Sequence, residues 1–203
     1  MGELFDKLAN YGNSGIYPFH MPGHKRQKTV DFNPYKIDIT EIEGFDNLHH
    51  AEGVLLEAQK KAEKLYGSEE SHFLINGSTA GILSAVSACA KKTVLIARNC
   101  HKAVYHAALI RNLDVYYVYP EIQEEFMLNG GINPADVERS LEEHPEIEAV
   151  VITSPTYDGI VSDVKRIAEI AHAHEKPLIV DEAHGAHFGF SKSWGRYRYP
   201  QSS

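Results

Sequence analysis

The sequence predicts an α/β protein: three layers, with helices on both faces of a mostly parallel sheet. Two observations carry this. Apolar runs alternate with segments of helical apolar spacing from about residue 70 to residue 181. The apolar runs are also continuous rather than alternating, as expected of strands buried on both faces. At 203 residues, with 43% hydrophobic and 24% charged residues, the chain has the composition of an ordinary globular protein.

The elements follow in order. Residues 1–50 are rich in Gly, Pro and Asn and read as an N-terminal arm, with a short helix near 3–10 and then extended loop. From Ala51 the spacing of Val54, Leu55, Ala58, Ala62 and Leu65 predicts a helix of about four turns, ended by Gly67. Next come a strand over 71–75, a helix over 78–91, a strand over 93–97, a helix over 102–112 and a strand over 114–118. A longer connection holds Asn129-Gly130-Gly131, and Pro134 opens a helix to Glu143. A strand over 148–153, a helix over 163–174 and a strand over 177–181 complete an α/β domain spanning 51–190. Residues 191–203 read as an irregular tail.

The acidic balance, a formal charge of −8 with no Lys/Arg run, argues against nucleic acid or an anionic membrane as partner. The longest apolar runs are far too short for a bilayer span. The N-terminus has neither the basic nor the apolar region of a secretory signal, so a cytoplasmic location is expected. Cys89 and Cys100 fit no disulfide framework and read as reduced thiols.

Four segments stand directly after predicted strands, where open α/β sheets bind ligands. In Asn76-Gly77-Ser78-Thr79-Ala80-Gly81, helix-start amides and the Ser78 and Thr79 hydroxyls suit a phosphate; the plain alternative is an N-capped helix on a tight turn. His101 in Arg98-Asn99-Cys100-His101-Lys102 could stack on an aromatic ligand or simply start a helix. Ser154-Pro155-Thr156-Tyr157-Asp158-Gly159 offers hydroxyls, or is only a turn. Asp181-Glu182-Ala183-His184-Gly185-Ala186-His187 allows two chemistries. Asp181, His184 and His187 could hold a metal, although the spacing lacks the register of a helical zinc motif. Alternatively Asp181 faces a cationic ring nitrogen, Ala183 leaves room for a flat ring and His184 reaches a ring substituent. In the arm, the Pro-Gly pair of His20-Met21-Pro22-Gly23-His24-Lys25 prevents helical presentation of the two histidines. No metal site is expected.

These motifs, HMPGHK, NGSTAG, RNCHK, SPTYDG and DEAHGAHFGF in this order, closely resemble the ornithine/lysine/arginine decarboxylases of pyridoxal-phosphate fold type I, in their short form without an N-terminal wing domain. The resemblance implies pyridoxal 5′-phosphate as cofactor. Ser78 and Thr79 would bind its phosphate, with Ser154 and Thr156 as weaker cofactor contacts. His101 would stack on one ring face and Ala183 pack on the other. Asp181 would pair with the pyridinium nitrogen, and His184 would lie near the ring hydroxyl or the reacting carbon. His101 and His184 are the catalytic candidates. The substrate would be a basic amino acid that loses its α-carboxylate as CO2, yielding a polyamine, in a homodimer.

The family's cofactor-bearing lysine lies in a Ser-x-His-Lys motif, which these 203 residues do not contain; Lys192 falls in the unpatterned tail. The resemblance therefore implies an incomplete domain, inactive alone for want of the Schiff-base lysine and without covalent cofactor. The alternatives are one chain of a split enzyme completed by a C-terminal polypeptide, or a noncatalytic cofactor-binding or regulatory module. The family sheet order, taken as 1-7-6-4-5-2-3, further implies that the strand over 71–75 stands without neighbours and that the strand over 177–181 pairs with that over 93–97.

Overall fold

The computed structural model describes residues 3–17, 19, 25, 31–40 and 42–188. The expectations for His20 to His24, for the tail over 191–203 and for Lys192 lie outside the described residues. The chain divides into two compact units, residues 1–54 and 55–203.

In the first unit, α1 (Glu3–Gly12) runs two residues past the predicted helix. The remainder is loop, as its composition predicts, interrupted by two short 3-10 turns, Pro34–Lys36 and Leu48–His50. Each turn is started by an asparagine: Asn33 accepts the Tyr35 amide and Asn47 the His49 amide. The Asp46 carboxylate gathers the amides of Asn47, Glu52 and Gly53 at 2.8–3.1 Å, which closes the loop ahead of the first long helix.

The second unit holds most of α2 (Val54–Tyr66), α3 (Gly77–Cys89), β1 (Thr93–Ala97), α4 (Lys102–Arg111), β2 (Asp114–Val118), the hairpin β3 (Ile122–Gln123) and β4 (Leu128–Asn129), α5 (Pro134–Glu143), β5 (Val150–Thr153), α6 (Val164–Ala173) and β6 (Leu178–Asp181). Gly67 ends α2 at φ 71°, the left-handed region that glycine enters without strain, and its amide returns to the Glu63 carbonyl. The main sheet is parallel, in the order β2-β1-β5-β6. The helices α3 and α4 pack together, as do α5 and α6. The β1-α4-β2 and β5-α6-β6 connections run in opposite directions across the sheet, so the right-handed rule for parallel crossovers assigns the two pairs to opposite faces, in three layers.

Two expectations are corrected. The strand over 178–181 pairs with β5, not with β1; β5 lies between β1 and β6. The sequence carries the reason. Val150, Val151 and Ile152 are wholly buried, as are Val94 to Ala97, so these two apolar runs take the interior positions. Leu178 to Val180 are only partly buried and occupy an edge, while the tyrosine-bearing β2 takes the other. Second, residues 71–75 form no strand. No described strand is available to pair with them, and Phe73, Leu74 and Ile75 are about half exposed. The segment is held by the Glu63 carboxylate on the Ser71 amide, and by Leu74 lying where any side chain at Gly81 would be, 2.6 Å from an added Cβ. The small hairpin β3-β4 was not anticipated in the long connection; it folds back through the Gly130 amide on Glu121.

Candidate functional site

The site lies at the carboxyl edge of the parallel sheet, where the turns after β5 and β6 meet. The Ser154 amide donates to the Asp181 carbonyl at 3.1 Å, extending the β5-β6 ladder one residue beyond the register pair Thr153–Asp181. The Tyr157 and His184 rings meet edge to face at 5.3 Å. Gly185 is buried against Pro155, where an added Cβ would come within 2.6 Å of the proline ring. Ser154, Thr156, Asp181 and His184 are thus brought together by covalent neighbours that touch.

Within this group the side chains differ in what they have left to offer. Ser154 and Thr156 are buried and their hydroxyls accept local amides, from Ser162 and Ile160 respectively, so both shape the loop. Asp181 is 9% exposed, and one carboxylate oxygen accepts the Ala183 amide at 3.1 Å. Its other oxygen has no hydrogen-bond partner among the described residues. Ala183 and His184 are exposed beside it.

His101 sits at the start of α4 and serves as its N-cap: Nδ1 accepts the Ala103 amide at 3.2 Å, leaving Nε2 at the solvent edge of an exposed ring. An accepting Nδ1 places the proton of the neutral ring on Nε2. Ser78 and Thr79 occupy the exposed first turn of α3. That helix has no side-chain cap. Asn76 and Gly77 adopt left-handed conformations (φ 63° and 69°), and the Asn76 side chain makes no capping hydrogen bond, so among the described residues no side chain caps the first-turn amides. The N-capped alternative weighed for this turn is therefore not what forms. Among the described residues no hydrogen bond joins Ser78 or Thr79 to the β5-β6 cluster.

Sequence reasoning passed over two residues beside Asp181. Cys100 is buried and its thiol faces the Val151 carbonyl at 3.7 Å. Burial pushes this thiol up to about 11; the nearby Thr153 hydroxyl opposes the rise and the Asp181 charge adds to it. Thr153 is 8% exposed, and its hydroxyl oxygen has no hydrogen-bond partner among the described residues. The signal was present in the sequence: Thr153 is the one polar residue ending an otherwise apolar strand. The metal alternative needed three ligating side chains together; among the described residues no such group forms.

Taken together, a parallel four-stranded sheet flanked by paired helices, with a buried carboxylate at its carboxyl edge, defines an α/β domain. The family model for the Orn/Lys/Arg decarboxylase major domain matches residues 3–195, and this chain belongs to that family. It is 38% identical over 195 residues to the uncharacterized protein YaaO of Bacillus subtilis, covering 91% of this chain and 40% of that protein. It is 33% identical over 197 residues to an arginine decarboxylase of Bacillus cereus, covering 92% and 43%. The chain thus spans about two fifths of the length of these relatives. A solved structure described as SPT with PLP shares the fold, with a TM-score of 0.52 and 17% identity over 68% of this chain and 33% of that one. No helix among the described residues is long and apolar enough to cross a membrane.

Proposed function

We propose that this chain supplies the cofactor-binding part of a pyridoxal-phosphate-dependent decarboxylase acting on a basic amino acid such as arginine, lysine or ornithine, within a cytoplasmic homodimer. Family membership supports the reaction class. The single observation that carries the cofactor reading is Asp181, a buried carboxylate with one oxygen held and the other open at the ligand edge of the sheet. Such a group is costly unless it meets a cation or a strong donor, and a protonated ring nitrogen is both.

The residues present fit the cofactor. Asp181 would keep the ring nitrogen protonated. The uncapped start of α3, with Ser78 and Thr79, offers amides and hydroxyls to a phosphate dianion. His101, its orientation set by the Ala103 amide, would cover one ring face, and Ala183 is too small to obstruct the other. Ser154 and Thr156 hold the loop that carries Tyr157 against His184, and His184 would orient a ring substituent or move a proton near the reacting carbon. When bound, the cofactor supplies an electron sink for the pair released as the α-carboxylate leaves.

These 203 residues contain no Ser-x-His-Lys, so the reading has them bind the cofactor without a covalent bond and release no CO2 by themselves. The test is calorimetric titration of the purified chain with pyridoxal phosphate, followed by borohydride reduction and peptide mapping. Saturable one-to-one binding, competed by inorganic phosphate and leaving no stoichiometric phosphopyridoxyl lysine, is the expected result. Absence of saturable binding overturns the cofactor assignment; a stoichiometric adduct with CO2 release from arginine, lysine or ornithine overturns the noncovalent one.

A further inference from the structure

The turn between β1 and α4 carries His101, and a double contact closes it. Tyr105, at the end of the first turn of α4, donates its phenol hydrogen to the Arg98 carbonyl at 2.6 Å and accepts a hydrogen bond from Arg98 Nη1 at 2.9 Å. One tyrosine therefore holds both the backbone and the side chain of the same arginine, and His101 lies in the loop between them. The start of that loop is anchored in the sheet. The Arg98 amide donates to the Val118 carbonyl at 2.8 Å, continuing the β1-β2 ladder, and the Cys100 amide turns back to the Ala97 carbonyl at 2.9 Å. The Arg98 guanidinium carbon lies 5.4 Å from the Tyr105 ring centroid and 5.6 Å from that of Tyr117 on β2, within cation–π range of both. Burial raises the Tyr105 phenol above its ordinary value of 10, with Arg98 opposing the rise, so at neutral pH it keeps its proton and can donate and accept at once.

Helix α4 is anchored without this contact: Ala103, Val104, Ala107 and Ala108 are buried in the core, and His101 caps the helix start. What the core leaves open is how the exposed imidazole lies over the sheet edge. Its Nδ1 is tied to the Ala103 amide, so the ring follows the first turn of α4. The contact between Tyr105 and Arg98 fixes that turn against the end of β1.

We propose that Tyr105 is a positioning residue for His101: by closing residues 98–105 on Arg98, it sets the height and tilt at which the imidazole meets a flat ring at the carboxyl edge of the sheet. The inference rests on the cofactor reading above and deepens it.

The test is a double-mutant cycle in the full chain, read as the dissociation constant for pyridoxal phosphate, with Tyr105→Phe, His101→Asn and the two combined. Tyr105→Phe keeps the ring and removes only the hydroxyl, while His101→Asn keeps a helix cap and removes the imidazole. Tyr105→Phe alone should weaken binding about five-fold, the scale of one neutral hydrogen bond. Beside His101→Asn it should change binding by less than about two-fold, because a residue that acts through His101 then has nothing to position. The His101 ring protons supply a second readout by NMR: stacking on the cofactor should move them upfield in the wild-type chain, and that shift at saturating cofactor should shrink in Tyr105→Phe. Equal losses in the two backgrounds assign Tyr105 a purely structural role and overturn the proposal, as does no loss in the wild-type background. Should Tyr105→Phe not fold, Arg98→Met, which removes the guanidinium and leaves the phenol on the backbone carbonyl, carries the same cycle. A wild-type chain that binds no cofactor, or a His101→Asn variant that binds it as tightly as wild type, overturns the His101 assignment and the inference with it. That outcome is visible before any Tyr105 variant is measured.

Discussion

The amide of Ser154 donates to the carbonyl of Asp181 at 3.1 Å, so the turn after β5 and the turn after β6 are continuous with one backbone ladder. The consequence is that residues 27 positions apart in sequence are tied together at the carboxyl edge of the sheet, so a substitution that displaces one turn should displace the other.

Gly185 is the closest point of that union. An added Cβ would stand 2.6 Å from the Pro155 ring, which is too near for any real contact. Gly185→Ala should therefore separate the two turns, at a cost of about 1–3 kcal/mol typical of overpacking. Urea unfolding will read the loss in stability, and pyridoxal phosphate titration should show weakened binding in the same variant.

His101 combines a structural role with its proposed cofactor role, and substitution can part them. Because Nδ1 caps α4, His101→Ala should cost about 0.5–2 kcal/mol. His101→Asn keeps a good cap and should recover most of that stability in thermal unfolding. It should not recover cofactor affinity, since the amide offers no imidazole face.

Cys100 should be an unreactive thiol. With burial holding it near 11, the thiolate that attacks alkylating reagents is scarce at neutral pH. Iodoacetamide followed by mass mapping should label the half-buried Cys89 well before Cys100 in the native chain, and the difference should vanish in denaturant. Rapid native labelling of Cys100 would show that its pocket opens.

At the opposite end of the sheet, the Glu148 carboxylate accepts the amides of Lys91, Lys92 and Thr93, which join α3 to β1. These amides hold its pKa below the ordinary value of 4.5. A lowered carboxylate pKa contributes stability that is fully present above 4.5 and is lost as pH falls through the folded value. Glu148→Gln should therefore be less stable than wild type at neutral pH and show a flatter decline below about pH 4.5, measured as unfolding midpoints against pH. Parallel curves for the two proteins would remove Glu148 from the account.

Much of the second unit was legible from the chain alone. The strands over 93–97 and 114–118 and the helix from Pro134 to Glu143 fall where apolar runs, Pro134 and helical spacing put them. The strands before residues 154 and 182 lost only their first residues. These signals are local: period, β-branched content and capping residues decide them within a few residues. The segment over 71–75 failed for the opposite reason. Its composition is that of a strand, but a strand exists only with a neighbour to bond, and composition carries no information about that neighbour.

The sequence by itself determined the class of the domain, the sheet edge at which the candidate motifs after the last two strands gather, and the motifs that place the chain in its family, because period and motif spacing are properties of the chain. Only the tertiary structure decided the strand order, with β5 inside and β6 at the edge, because that depends on which apolar runs bury most completely together. It likewise decided that Ser154 and Thr156 are spent on their own loop, and that α3 begins without a cap. Above all it set Thr153 level with Asp181 on the neighbouring strand, since register between strands separated by a helix is settled by packing, and it buried there a threonine hydroxyl that has no hydrogen-bond partner among the described residues.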